Sequence, residues 1–262
     1  NVLPVMIIAE MLGIPPGQYA TFKDWSDKII GAGAAVPGTP IPDEVRDAME
    51  ALVDYFKIEV EKRRRNPGSD LVSALVAAHD EAEALNTTEL LQFIVLLLLA
   101  GNETTTNLIG NGMLALARYP DQMAMLRESP ELMPRAIEEM LRFDGPVQST
   151  ARFPKAPVEV GGSEIPGGTI CFVMVAAANR DPAQFSNPER FDITRDPNDH
   201  VAFGEGIHFC IGAPLARLEG SIAIGAVLEK FPNLKLMNPG EKLTYKGSYF
   251  LRGLDSLKMA IA

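Results

Sequence analysis

The chain has 262 residues, 47% of them hydrophobic, so it can bury a sizeable core, and nothing in its composition points to disorder or a repeat array. Its formal charge of -10 excludes the concentrated basic surface that nucleic-acid binding needs to displace counterions from phosphate. Uninterrupted apolar runs such as Phe93 to Ala100 are far short of the roughly eighteen residues of a membrane span; with two dissimilar cysteines and no secretory signal, a soluble cytoplasmic protein without a membrane partner is expected.

An opening apolar pattern (Val2, Leu3, Val5, Met6, Ile7, Ile8) is broken at Pro15-Pro16-Gly17, and Phe22, Trp25, Ile29 and Ile30 follow at helical spacing. Gly31 to Pro42 reads as a Gly/Pro/Ala loop. A third helix starts with Asp43, Glu44 and Asp47, carries Val45, Met49, Leu52, Phe56 and Val60 as its apolar stripe, and stops at Asn66-Pro67-Gly68. The cations Lys62 to Arg65 read as its solvated end. The spacing then predicts a helix from about Thr88 to Arg118, opened by a capping box of Asn86 and Glu89 and closed by Pro120. At 1.5 Å per residue it would run roughly 45 Å, enough to cross a domain. Its middle, Ala100-Gly101-Asn102-Glu103-Thr104-Thr105-Thr106, is small and polar where propensity favours neither, so something polar is expected to happen there.

A helix containing Arg135 to Phe143 comes next. The texture then changes at Gly145-Pro146, and the stretch from Val158 to Ile170 reads as a small β region with Gly/Pro turns. Residues 183–199 are irregular, a helix spans about Ala213 to Lys230, and strand candidates lie around Leu243 to Tyr245 and Leu257 to Ile261. The fold class is mainly α with a minor β part. Gly162 to Thr169 spaces like a phosphate loop but has Gly168 where that chemistry needs Lys, and Cys171, within an apolar strand run, is expected to be inert core.

In Phe203-Gly204-Glu205-Gly206-Ile207-His208-Phe209-Cys210-Ile211-Gly212, three glycines allow tight backbone next to a flat ligand. Cys210 precedes a helix whose first turn holds Pro214, and a helix N-terminus lowers a thiol's pKa and favours a thiolate. The segment resembles, position for position, the cysteine loop Phe-x-x-Gly-x-His-x-Cys-x-Gly of the cytochrome P-450 family, and Ala213-Pro214-Leu215-Ala216-Arg217 continues the likeness.

That resemblance covers essentially the whole chain and corresponds to the C-terminal two-thirds of a family member. It implies a mainly α, cytochrome P-450-like helical fold with small β-hairpin regions, lacking the N-terminal part. It further implies one oxygenase domain over 1–262, with 1–85 as substrate-side lid helices and 86–262 as the haem-binding core. The cofactor implied is haem b (iron protoporphyrin IX), with Cys210 as the iron ligand, as cysteine ligates haem in this family. Phe203, Gly206, Gly212, Ala100 and Gly101 would lie against the haem, and Arg152 and His208 would pair with its propionates. Glu103 would supply an acid and Thr104 a hydroxyl for dioxygen chemistry, although Thr104 can equally bond back to the Ala100 carbonyl. Val147, Gln148, Ser149 and Thr150 with Phe250 and Leu251 would line the substrate site. Glu139 and Arg142, which by spacing alone could be a surface pair, would form a buried network with Arg190 of the segment Pro188-Glu189-Arg190-Phe191. The reaction implied is insertion of one oxygen atom from O2 into a small, mostly apolar organic substrate, with electrons from NAD(P)H through a ferredoxin or flavodoxin-type donor and its reductase. A peroxide-using peroxygenase and a non-catalytic haem-binding sensor are the alternatives.

Overall fold

The computed structural model describes residues 3–31, 40–82, 85–246, 248 and 250–261. The chain divides into two compact units, Asn1–Thr106 and Asn107–Ala262, and the division falls inside one long helix.

In the first unit, α1 (Leu3–Met11) ends ahead of Pro15, where a turn over Pro16–Gln18 leads into α2 (Tyr19–Gly31). The Gly/Pro/Ala loop falls largely outside the described residues. Next come α3 (Asp43–Arg65) and α4 (Leu71–Ala82), the latter not anticipated from the sequence. The α3 stripe is buried at Val45, Leu52, Phe56 and Val60, but Ala48 is buried in place of Met49, which is 36% exposed. Phe22 of α2 packs edge-on against Trp25, Tyr55 and Phe56 at 5.2, 4.8 and 5.9 Å, the arrangement ring quadrupoles favour. The cationic end of α3 is not wholly solvated: Arg63 is buried, pairs with Glu59 and Asp70, and donates to the Gly13 carbonyl at 3.1 Å.

The helix α5 (Thr87–Arg118) starts where the capping box places it. The Asn86 N–H donates to Glu89 Oε2 at 2.7 Å, and the Glu89 N–H to Asn86 Oδ1 at 3.0 Å. Although no uninterrupted apolar run is long enough, α5 as a whole is the one helix among the described residues long and apolar enough to cross a membrane; half of its most apolar stretch is buried in the structure. Leu90, Ile94 and Leu98 fill the core of the first unit.

In the second unit, α6 (Pro120–Glu128) and α7 (Met133–Asp144) follow, and α9 (Ala213–Lys230) starts and stops as the sequence predicts; the short helix α8 (Val175–Ala178) lies between them. Leu108, Ile137, Met140, Leu141, Phe191 and Ile224 form the core here. The strands are short antiparallel pairs: β1 (Thr150–Arg152) with β4 (Cys171–Val173), β2 (Val158–Val160) with β3 (Ser163–Ile165), and β5 (Lys235–Leu236) with β6 (Met259–Ala260). The expected strand at Leu243 to Tyr245 is only a single bridge from Tyr245 to Leu254, and β5 pairs with the terminal strand in its place. Cys171 sits half-buried on β4 opposite Arg152 instead of in the core.

Candidate functional site

Cys210 is exposed at the end of a loop whose shape its glycines allow. Gly204 and Gly206 adopt φ of 73° and 65°, values that strain a residue bearing a Cβ. The Cys210 N–H donates to the Phe203 carbonyl at 2.9 Å, closing the loop, and its own carbonyl accepts from Ala213 N–H at 3.2 Å as α9 begins. Gly212 caps α9 without a side-chain bond, so the helix's positive end is open beside the sulfur. Next to the thiol, Ile207, Phe209 and Ile211 are 98%, 53% and 76% exposed, an apolar face that water alone does not favour. His208 and Arg152 are both exposed, and Arg152 donates to the neighbouring Ala151 carbonyl at 2.9 Å.

The polar stretch of α5 belongs to the first unit through Thr106. Glu103 is buried, and Thr104 Oγ1 donates to the Ala100 carbonyl at 2.7 Å, the back-bonded arrangement that competes with helix hydrogen bonding. Asn102 Nδ2 and Thr106 Oγ1 are buried there without a hydrogen-bond partner among the described residues, so this turn has donors to offer. Ala100 is exposed, and a Cβ on Gly101 would stand 3.4 Å from Ile8 of α1; the missing side chain therefore also lets α1 approach.

The predicted substrate-lining residues come together. Val147 bridges Leu251, and Gln148 N–H donates to the Phe250 carbonyl at 2.8 Å. Thr150 opens β1, whereas Ser149 is buried and its side chain is not presented to an open surface. Phe172 of β4, which sequence reasoning missed, stands 5.9 Å from Phe250 and is half-exposed beside the similarly exposed Val173 and Met174.

Glu139 and Arg142 of α7 form a fully buried bidentate pair at 2.8 and 2.9 Å, not a surface salt bridge. The third side chain is Arg195, whose Nε donates to Glu139 Oε2 at 3.1 Å. Arg190, the residue expected there, is exposed and stands 4.0 Å from Asp192. Its part is played by its backbone, since the Arg190 carbonyl accepts from Arg142 Nη2 at 3.1 Å and Arg195 Nη2 at 3.3 Å. The chain turns after Phe191, which is buried, so the side chain that returns to α7 is five residues on. Glu138, His200 and Arg217 form a second cluster that the sequence did not single out as functional. The adjacency of two glutamates on α7, one of them in the expected network, was the available signal.

The sequence matches the cytochrome P-450 family profile over residues 37–253. It is 46% identical to the cytochrome P-450 monooxygenase PikC of Streptomyces venezuelae, over 97% of this chain and 60% of that protein. It is 40% identical to 6-deoxyerythronolide B hydroxylase of Saccharopolyspora erythraea, over 99% of this chain and 63% of that protein. The chain thus spans about three-fifths of the length of these curated relatives. Among solved structures, CYP109E1 from Bacillus megaterium in complex with testosterone superposes with a TM-score of 0.90 at 39% identity, covering 99% of this chain and 68% of that one. Sequence profile, curated relatives and solved structure agree: the chain belongs to the cytochrome P-450 family.

Proposed function

We propose that the protein is a haem-thiolate monooxygenase that inserts one oxygen atom from O2 into a small, mostly apolar organic substrate. The observation that carries this reading is the exposed Cys210 thiol at the positive end of α9, framed by exposed Ile207, Phe209 and Ile211. The residues fit haem b: the sulfur is free to ligate iron, the three apolar side chains and Phe203 offer a face to a porphyrin, and exposed His208 and Arg152 suit its propionates. When bound, that group supplies the binding and reductive activation of dioxygen.

The chain's own residues divide the remaining work. Glu103 and Thr104 handle the proton, with the Thr104 hydroxyl able to leave the Ala100 carbonyl and donate to a ligand or a water. Val147, Thr150, Phe172, Phe250 and Leu251 hold an apolar substrate, with Gln148 anchored by its backbone. Among the relatives, one is named for hydroxylating 6-deoxyerythronolide B and one was solved with testosterone, which supports a largely apolar, polycyclic or macrocyclic substrate. Residues 86–262 act as the haem-binding core and 1–85 as substrate-side helices. Electrons come from NAD(P)H through a separate ferredoxin or flavodoxin-type protein and its reductase, and the protein works in the cytoplasm.

Isotope labelling tests the reading. The intact protein with a competent reductase should place one atom from labelled O2 in the product, and Cys210→Ser should place none. Turnover that needs only peroxide and ignores O2 would make it a peroxygenase; absence of turnover with haem bound would leave a sensor.

A further inference from the structure

Two consecutive carboxylates on α7 serve different parts of the second unit. Glu139 holds the irregular segment through Arg195, while Glu138 receives Arg217 of α9 as a bidentate pair, Nε at 2.7 Å and Nη2 at 2.8 Å. The same carboxylate receives Nε2 of His200, whose side chain is buried, at 3.0 Å. The Ala202 N–H donates to His200 Nδ1 at 3.2 Å. Nδ1 is thus the ring's acceptor and Nε2 faces Glu138. Within the bidentate pair the charges of Glu138 and Arg217 cancel.

These three residues bracket the cysteine loop. His200 stands just before it, and its partner Ala202 leads into Phe203, whose carbonyl holds the Cys210 N–H at 2.9 Å. Arg217 stands just after it, with its guanidinium carbon 4.5 Å over the Phe203 ring. Burial alone would raise Glu138, but the hydrogen bonds from Arg217 and His200 together with the charge across the pair outweigh it and bring the group down to about 2, so it is a carboxylate at any working pH. Arg217 is held above its ordinary value, first by the Glu138 hydrogen bond and last by the charge of Cys210, which lies within its electrostatic reach.

We propose that Glu138 is a positioning residue for the Cys210 thiolate: one carboxylate pins both ends of the cysteine loop to α7 and cancels the Arg217 charge beside the sulfur. This rests on the haem-thiolate reading. Reduction of ferric to ferrous haem adds one negative charge, so an uncancelled cation nearby favours the reduced form and an uncancelled anion disfavours it. In the intact, haem-loaded protein, Glu138→Gln should therefore raise the reduction potential, Arg217→Gln should lower it, and the double variant should return it to the wild-type value. His200→Phe leaves both charges in place and loosens one end of the loop. It should leave the potential unchanged while speeding the loss of the thiolate absorption band of the carbon monoxide complex in urea.

Shifts of the same sign in both single variants, or no shift in either, would overturn the proposal while leaving the thiolate reading intact; so would band loss at the wild-type rate in His200→Phe. If Glu138→Gln binds no haem, restored loading in the double variant supports the proposal and continued failure overturns it. A wild-type protein without the thiolate band would overturn both readings.

Discussion

Replacing Arg195 with Leu should destabilise the protein far more than replacing Arg190, the residue that the sequence marks for this role. Glu139 is completely buried and depends on Arg142 and Arg195 for its charge balance. Breaking a buried pair by removing one partner costs about 3–5 kcal/mol. After Arg195→Leu, Glu139 keeps Arg142, the Asp192 N–H at 2.8 Å and Asn198 at 3.3 Å, so the loss should fall at the lower end, about 3 kcal/mol. Arg142→Leu also strands the carbonyls of Asn179 and Pro188 and should reach the upper end, about 5 kcal/mol. Arg190→Leu removes only an exposed side chain 4.0 Å from Asp192, and its backbone carbonyl stays in place, so it should cost about 0.5 kcal/mol or less. Urea unfolding of the intact protein, followed by haem absorbance and far-ultraviolet circular dichroism, gives the three values. Equal losses for Arg190→Leu and Arg195→Leu, or a smaller loss for Arg195→Leu, would refute the network as described.

Thr104→Ala should keep haem and substrate binding yet divert reductant into peroxide, lowering the ratio of product to NAD(P)H consumed, since a positioned proton donor contributes about 100-fold or more to the step it serves; an equal loss in Thr106→Ala, whose hydroxyl is buried without a partner among the described residues, would remove the special role. Burial pushes Glu219 up from 4.5 to about 7, so its stabilising contribution is fully present below pH 4.5 and is lost as pH rises through about 7. Glu219→Gln, which stays neutral, should flatten stability across that window and gain up to about 3 kcal/mol at pH 8, and an unchanged pH profile in unfolding curves would contradict the assignment. A Cβ on Gly253 would stand 2.0 Å from Asn107 Oδ1 on α5, so Gly253→Ala should lower stability by about 1–3 kcal/mol, read as a fall in Tm; an unchanged Tm would show that Asn107 can move aside.

Long elements were legible because their signals are redundant. α5 has a capping box, an extended apolar pattern and a terminal proline, and α9 is bounded by a glycine and the end of its pattern. β5, with two residues, holds no alternation to be read and was missed, while Tyr245 was given a strand where it makes one bridge. The cysteine loop was readable residue by residue because its glycines, its cysteine and the helix start must coincide. The choice between Arg190 and Arg195 was not, because both lie in a stretch without periodicity and only the path of the backbone decides which one turns inward. The burial of Arg63 and the Glu138 cluster escaped for a related reason: a charged residue on a helix reads as solvated until its partner, distant in sequence, is known.

The central claim is that Cys210 supplies a thiolate to haem iron. The most direct measurement is the absorption spectrum of the intact protein reduced under carbon monoxide, for the wild type and for Cys210→His and Cys171→Ser. The wild type and Cys171→Ser should both show the red-shifted band of a thiolate ligand, and Cys210→His should lack it while still binding haem. A band that survives in Cys210→His, or that disappears in Cys171→Ser, would contradict the account.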